Sequence, residues 1–246
     1  MSASNNPIKG LLYLFQGFRL ITQPGLRRYV ALPTLVNITV FVGLGYLAFG
    51  WLDTLTESFI QTLPEWLQWL DWISEILVFL TLSLVSFFTF TLIANLISSP
   101  FNGPLAQAVE QRLTGETKHE EGAWHDSITQ LPQVFGDEGQ KLFYSISRSL
   151  PFLLLFLIPL VNVIASAAWL IFGTWLLALQ YMDYPLGNQS IRFQQQRELL
   201  GRHKLLIMGF GAGVLACTMV PLLNLLIIPA AVAGATALYV NELKNN

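Results

Sequence analysis

Two adjacent arginines follow a proline and a glycine in the stretch Pro24-Gly25-Leu26-Arg27-Arg28, a combination suited to holding an anion. Proline ends a preceding helix, and glycine lets the backbone turn so that its N–H groups converge. The next helix begins there with its positive dipole end, and two guanidinium groups offer charge-assisted hydrogen bonds to a tetrahedral oxyanion. A plainer role, which the residue types alone favour, is that Arg27 and Arg28 are positive anchors at a membrane boundary.

The sequence contains no arrangement typical of catalysis or metal binding. His119, His125 and His203 are scattered over polar segments, and none has the spacing of metal ligands. The single cysteine, Cys217, lies in an apolar segment and has no second thiol to share a metal. Neither a nucleophile elbow nor a phosphate-cradling glycine motif occurs. We therefore expect a protein that is not an enzyme and that holds no metal and no cofactor.

Asparagines in apolar surroundings are the remaining candidates for an ion path. They are Asn37, Asn95, Asn102, Asn162 and Asn224. No charged residue lies in the middle of an apolar segment, so a path would be lined by polar side chains, helix ends and broken backbone. Each asparagine also fits a structural role, because an amide within a helix bundle often hydrogen-bonds between helices. Both interpretations stay open at this point.

The composition is that of a membrane protein. Hydrophobic residues make up 53% of the 246 residues and charged residues only 11%, which suits lipid better than water. The formal net charge is −2 and no basic tract occurs, so the chain lacks the excess of Lys and Arg that nucleic-acid binding requires. We therefore expect contact with membrane lipid and none with nucleic acid.

Four long segments without Asp, Glu, Lys or Arg organise the chain. They are Tyr29–Leu52, Ile76–Val109, Ser149–Met182 and Leu205–Asn241. The first predicts one membrane span over 29–52, because a rise of about 1.5 Å per residue matches a hydrocarbon core of about 30 Å. In the second, 76–97 is long enough for a span before Ser98-Ser99-Pro100 ends the helix.

The third and fourth segments are too long for one upright helix and too short for two full spans. One contains Pro159-Leu160-Val161-Asn162 and the other Pro221-Leu222-Leu223-Asn224. Because proline removes a backbone donor and asparagine favours turns, we predict two broken-helix hairpins, over 149–182 and 205–241. Each would be a helix of about ten to fifteen residues, a turn and a return helix. The first limb, Ser149–Ile158, would be about 15 Å long, or half a bilayer.

The basic residues support hairpins that turn back within the membrane. Of the thirteen Lys and Arg residues, four precede Tyr29, four lie within 112–148, four within 192–204, and the last is Lys244. The segment 53–75 has none and carries five acids. If all four segments crossed fully, residues 192–204 would share a face with that acidic segment, against the positive-inside rule. Two spans and two re-entrant hairpins are therefore preferred to four spans, and their polar turns need shielding by an oligomer or a water-filled cavity.

A helix of another kind is predicted ahead of the first span. Lys9, Gln16, Arg19 and Gln23 fall on one narrow stripe at helical spacing, with apolar residues around the rest. This pattern indicates an interfacial helix over 9–23. Residues 98–148 are predicted to form a polar segment with amphipathic helices and a solvent loop over 114–130. The predicted fold is an all-α integral membrane protein with a single membrane domain, 1–246.

Three stretches together resemble the CysZ family of bacterial sulfate permeases. They are Ile97-Ser98-Ser99-Pro100-Phe101-Asn102-Gly103-Pro104-Leu105-Ala106 with Val109-Glu110, then Tyr181-Met182-Asp183-Tyr184-Pro185-Leu186-Gly187-Asn188, and then Pro229-Ala230-Ala231-Val232-Ala233-Gly234-Ala235-Thr236. Their order and spacing carry the likeness over nearly the whole chain. Gly25-Leu26-Arg27-Arg28 also resembles that family's sulfate-binding loop, which reverses the preference for a plain anchor.

The resemblance implies a multi-pass sulfate permease of the bacterial inner membrane that serves cysteine biosynthesis, with sulfite or related oxyanions as further solutes. It also implies two long membrane helices, two hemi-penetrating hairpins and a homo-oligomer. Protomers in opposite orientations, as in that family, conflict with basic residues on one face, and this conflict is open. The alternative is a membrane scaffold without intrinsic flux. The sequence does not distinguish a channel from proton-coupled transport.

Overall fold

The computed structural model of the chain describes most of the sequence outside the segment 47–75 and its flanks. The described residues are 5–36, 38–40, 42–43, 46, 76–77, 80–81, 84, 101–116 and 123–244. Within them every regular element is a helix, which confirms the predicted all-α class. The chain forms two compact units, one joining residues 1–30 with 102–246 and the other covering 31–101.

The described helices follow one another along the chain. In chain order the helices are α1 (Pro7–Ile21), α2 (from residue 28, continuous to 36), α3 (101–114), α4 (Ala123–Phe156), α5 (Val161–Gly187), α6 (Phe193–Arg202), α7 (Lys204–Thr218) and α8 (Pro221–Leu238). Most of α2 belongs to the second unit. Residues Tyr239–Leu243 continue α8 as a π-helical turn. The predicted spans 29–52 and 76–97 lie largely outside the described residues and stay predictions.

Helix α1 begins and ends by local rules. The side chain of Asn6 accepts a hydrogen bond from the N–H of Ile8 at 2.9 Å, and Pro7 occupies the first turn, where its missing donor costs nothing. Gly10, Leu14 and Gly17 are among the buried residues of the helix. The helix packs against α7 and α8. Its predicted place in the membrane interface is not tested by this packing.

Glycines allow α1 to approach its neighbours backbone to backbone. A Cβ atom added at Gly10 would overlap the carbonyl oxygen of Leu206, and one at Gly17 would overlap that of Ala230. Gly209 on α7 meets the carbonyl of Pro7 in the same way. Contacts of this kind are typical of helix pairs in membranes, where small residues rather than hydrophobic burial bring helices together.

The third apolar segment is interrupted where the proline pattern lies. Helix α4 ends at Phe156, residues 157–160 form a turn in which Leu160 has a φ of 70°, and α5 begins at Val161. The prediction that Ser149–Ile158 forms a short separate limb is wrong, because residues 149–156 end a helix of 34 residues. Phe152 stacks on Phe172 with ring centroids 5.3 Å apart, so the two sides of the turn pack together.

Helix α5 takes the place of the return helix, for which no length was predicted. Its 27 residues correspond to about 40 Å, which is long enough to cross a bilayer. Among the described residues, Leu226–Leu243 is also long and apolar enough for a span. These lengths identify candidate spans and do not locate the lipid, so the re-entrant hairpins remain a prediction.

The fourth apolar segment breaks two residues earlier than predicted. Helix α7 ends at Thr218, residues 219–220 separate it from α8, and Pro221 opens α8 at a position that suits proline. Asn224 therefore lies inside α8 rather than in the turn. A second bend of 103° separates α6 from α7 at His203.

The predicted solvent loop over 114–130 is shorter in the structure. Helix α3 extends through residue 114, and α4 already begins at Ala123, so helix replaces the last part of the predicted loop. The core of the first unit lies among α1, α3, α5, α7 and α8, where Leu14, Leu105, Met182 and Phe210 are fully buried. This core fixes the position of the turn that follows α1.

Candidate functional site

In the turn between α1 and α2, one residue is buried in the core and its neighbours are exposed. Gly25 has a φ of +89°, a conformation that residues with a side chain rarely adopt. Leu26 is only 3% exposed and belongs to the core, whereas Arg27 and Arg28 on either side of the helix start are exposed. The buried leucine therefore anchors a turn that presents two guanidinium groups outward.

The backbone donors of the turn do not all converge on one point, contrary to the prediction. The N–H groups of Leu26 and Arg27 both donate to the carbonyl oxygen of Gln23, each at 3.2 Å. The N–H groups of Gly25 and Arg28 donate to no acceptor within the described residues. Two backbone donors and two side chains thus remain for a ligand.

Neither arginine of the turn is neutralised by an acid in the described part of the chain. Arg28 donates to the hydroxyl of Tyr29 at 3.0 Å, and its guanidinium lies 4.9 Å from the centroid of that ring. Arg112, on α3, donates to the carbonyl of Pro24 at 3.3 Å and so ties α3 to the turn. A local excess of positive charge without a carboxylate attracts anions.

The asparagine candidates are not gathered at the turn. Asn102 is buried and donates to the hydroxyl of Tyr184 at 3.1 Å, which matches the structural interpretation of an amide between helices. Asn162 is exposed in the first turn of α5. Asn37, Asn95 and the side chain of Asn224 lie outside what the structure describes. A role in a pore is untested for all five.

Two of the recognised sequence motifs meet each other. The amide of Asn188, just after α5, donates to the carbonyl of Gly103 on α3 at 3.1 Å, and Asn102 reaches Tyr184 beside it. These hydrogen bonds join the Phe101-Asn102-Gly103-Pro104 stretch to the Tyr184-Pro185-Leu186-Gly187-Asn188 stretch. The motifs therefore hold α3 against the end of α5.

Glu110, a buried carboxylate that follows the second apolar segment, forms an ionic network. Glu110 is 5% exposed and accepts hydrogen bonds from Gln189 at 2.8 and 2.9 Å and from Lys244 at 3.1 Å. Lys244 also contacts Glu116 at 3.1 Å. The hydrogen bond to Glu110 is the main cause that raises the pKa of Lys244. The only sequence signal was an acid at the end of an apolar segment.

A second network joins α1 to the π-helical turn. Lys9 lies 2.7 Å from Glu242, which is 7% exposed, and the hydroxyl of Tyr13 donates to the same carboxylate at 2.5 Å. Burial, and then the hydrogen bond to Glu242, raise the pKa of Tyr13. Lys9 was predicted only as part of the polar stripe of an interfacial helix. The pair is too distant in sequence for periodicity to indicate it.

Asp183 is likewise paired rather than free to bind a solute. It contacts Lys141 at 2.5 Å and accepts a hydrogen bond from Gln196 at 2.9 Å. The described residues contain no group of three His, Cys, Asp or Glu side chains that could hold a metal ion. Glu110, Glu242 and Asp183 thus stabilise the helix packing, and the exposed arginines of the turn remain available to bind an anion.

The described elements are all helices, and some of them are apolar and of spanning length. The basic turn has no acidic partner among the described residues. These features define a helical membrane protein with a turn that attracts anions. Residues 13–229 match the family model described as Sulfate transporter CysZ/Etoposide-induced protein 2.4, and the chain belongs to this family. The resemblance stated from the sequence is thereby confirmed.

Individual relatives cover nearly the whole chain. The Sulfate transporter CysZ of Pseudomonas fluorescens (strain Pf0-1) is 40% identical over 239 residues, which is 96% of this chain and 94% of the relative. That of Pectobacterium atrosepticum is 42% identical over 242 residues, covering 96% and 86%. That of Pseudomonas syringae pv. tomato is 38% identical over 235 residues, covering 96% and 93%. These relatives are named as transporters.

Proposed function

We propose that this protein is a sulfate permease of the bacterial inner membrane that supplies sulfate for assimilation into cysteine. The observation that carries the proposal is the identity of about 40% to proteins named sulfate transporters over nearly the full length of both chains. Apolar helices long enough to span a bilayer support the membrane location. A scaffold without flux has no comparable support.

We infer that sulfate is first captured at the turn Gly25-Leu26-Arg27-Arg28. Moving a doubly charged ion into hydrocarbon unaided would cost tens of kcal/mol, so protein donors must replace its water. The two exposed guanidinium groups and the free N–H groups of Gly25 and Arg28 are suitable donors. The buried Leu26 supports this role, because it holds the donors on a fixed backbone.

Beyond the turn, the proposed path runs between protomers along the polar ends of the broken helices. Helix ends carry unpaired backbone groups that can hydrate an ion in passing. The interruptions at 157–160 and 219–220 provide such ends. A homo-oligomer would shield them from lipid, as irregular backbone in a membrane requires. Sulfite and related oxyanions also carry negative charge on several acceptor oxygens, so we propose them as further solutes of the same path.

The capture site is tested by removing its positive charge. The double variant Arg27→Ala, Arg28→Ala should lose the sulfate that binds at the turn, because the side-chain donors and the two charges of the turn are gone. Binding of sodium sulfate to purified protein is measured by isothermal titration calorimetry. The control Arg202→Ala, Lys204→Ala removes two exposed cations elsewhere and should bind normally. Unchanged affinity in the first variant, with normal oligomer size and melting, would remove the site.

Transport itself is tested in proteoliposomes. Labelled sulfate should enter vesicles that contain the purified protein, and the Arg27→Ala, Arg28→Ala variant should reduce the initial rate to that of empty vesicles. The measurement is made with and without an imposed proton gradient, because stimulation by the gradient separates coupled transport from a channel. Equal uptake by empty and protein-containing vesicles would exclude the permease and leave the scaffold.

A further inference from the structure

The polar stripe of α1 divides into two parts with different neighbours. Lys9 is paired with the buried carboxylate of Glu242 at 2.7 Å, so its charge is balanced. The other three members of the stripe, Gln16, Arg19 and Gln23, line a cleft between α1 and α3. The capture role proposed for the turn does not account for these three side chains.

The cleft is suited in charge and size to an anion. Arg112 and Leu113 complete its lining together with Leu20, and its volume is about 350 Å³. A water molecule in the liquid takes about 30 Å³, so the cleft can hold a tetrahedral oxyanion with part of its hydration shell. Among the described residues, no carboxylate lines the cleft, and none makes a hydrogen bond or ion pair with the side chain of Arg19.

The cleft is directly connected to the turn. Arg112 lines the cleft and donates to the carbonyl of Pro24 at 3.3 Å. Gln23 also lines it, and its carbonyl oxygen accepts from the N–H groups of Leu26 and Arg27 in the turn. An ion that leaves the guanidinium groups of the turn would therefore next meet those of Arg19 and Arg112, because Arg112 and Gln23 belong to the cleft and also contact the turn.

We propose that this cleft is a second binding position for the transported oxyanion, occupied in series with the turn. Arg19 and Arg112 supply two positive charges, and the amides of Gln16 and Gln23 supply neutral donors to a dianion. Two neighbouring positions make each ion easier to release than one deep site would, which conduction requires. The inference rests on the proposed function, because it concerns the same solute.

The first test counts bound sulfate ions. Delipidated protein in detergent is titrated with sodium sulfate by calorimetry, and the expected result is two sulfates per chain. The variant Arg19→Glu, which leaves the hydrogen bonds of the turn intact, should bind one. The control Lys204→Glu makes the same charge change at an exposed residue away from the cleft and should bind two. One site in the unaltered protein, or two in Arg19→Glu, would overturn the second position.

The second test measures sulfate flux. In proteoliposomes Arg19→Glu should lower the initial rate by about tenfold or more, because a carboxylate now repels the ion at the second position, while Lys204→Glu retains the normal rate. Arg112→Gln should be slow and Arg112→Lys partly restored, since lysine keeps both a charge and a donor. If Arg19→Glu transports as fast as Lys204→Glu, the second binding position is refuted and the permease proposal stands. If the unaltered protein shows no flux, the permease proposal falls, while the titration still decides on the cleft.

The same cleft chemistry would suit the phosphate of a phospholipid, and one measurement separates the two sources. Phosphorus is assayed in protein purified from phosphatidylglycerol-containing vesicles before and after the Arg19→Glu change. Equal phospholipid content in both supports a free oxyanion as the occupant. Loss of one tightly bound phospholipid per chain in Arg19→Glu would assign the cleft to a lipid headgroup and overturn the second binding position for the oxyanion.

Discussion

The close approach of α1 to α8 predicts a large penalty for one added methyl group, in the variant Gly17→Ala. A Cβ at this position would lie 2.7 Å from the backbone nitrogen of Gly234 and closer still to the carbonyl oxygen of Ala230. Both obstacles are backbone atoms of a helix, so no side chain can rotate away to make room. The two helices must move apart or α1 must shift along its axis.

The size of this effect follows from the geometry. Ordinary van der Waals contact to a Cβ begins near 3.4 Å, so relief of the 2.7 Å contact alone needs a shift of about 0.7 Å, from 3.4 − 2.7. A gap of that size forfeits between a quarter and a half of the dispersion energy along the interface. Overpacking costs about 1–3 kcal/mol, and the upper end applies here because both obstacles are helix backbone. Alanine returns about 1 kcal/mol through its higher helix propensity. We expect a net loss of about 2 kcal/mol in the free energy of unfolding, or about thirtyfold in the equilibrium constant.

The assay is reversible unfolding in mixed micelles of increasing SDS content, followed by tryptophan fluorescence. The matched control is Gly173→Ala on α5, where a Cβ would meet nothing within 4 Å. The control should be as stable as the unaltered protein or gain about 1 kcal/mol from helix propensity. If Gly17→Ala unfolds at the same SDS fraction as Gly173→Ala, the contact between the two backbones is wrong as described.

Two further predictions concern the ionic networks. Lys244→Gln should lower the free energy of unfolding by about 3 kcal/mol, because Glu110 is left buried without its cation. Glu116→Gln should lower it by about 1 kcal/mol or less, since Glu116 is 66% exposed. Equal losses in the micelle assay would contradict this ranking. The raised pKa of Tyr13 means that the folded state retains its proton at a pH where the unfolded chain has lost it, so this stabilisation is complete below about pH 10 and declines above. Unfolding measured between pH 9 and 12 should show this decline, and Tyr13→Phe should reduce it; an identical alkaline slope in both proteins would refute the role of the buried hydroxyl.

Local rules in the sequence predicted the breaks of the helices more closely than their lengths. Proline at 159 and at 221 placed the two interruptions within about two residues, because the loss of a backbone donor acts at the residue itself. The length of the first limb of the third segment was wrong, because α4 continues through Pro151 and through polar residues that were predicted to form a loop, whereas the 15 residues of α7 agree with the prediction. Packing along a long helix overrides such local signals.

The basic turn could be predicted from residues that are adjacent in sequence, but the contact of Arg112 with the turn could not. Gly25, Arg27 and Arg28 are adjacent, and the positive φ of Gly25 agrees with the expectation that glycine allows the turn. Arg112 reaches Pro24 across 88 residues, and Tyr13 reaches Glu242 across 229. Contacts of that separation depend on the tertiary fold and have no local periodicity. The cleft beside the turn was therefore not visible in the sequence.

The pairing of α1 with α7 and α8 has a consequence for biosynthesis. The side chain of Asn5 accepts hydrogen bonds from the N–H groups of Leu205 and Leu206, which are 200 and 201 residues later in the chain. A ribosome that has just made α1 must therefore add most of the remaining chain before the partners of that helix exist. During translation the glycine face of α1 stays uncovered, and the first unit can close only when synthesis is nearly finished.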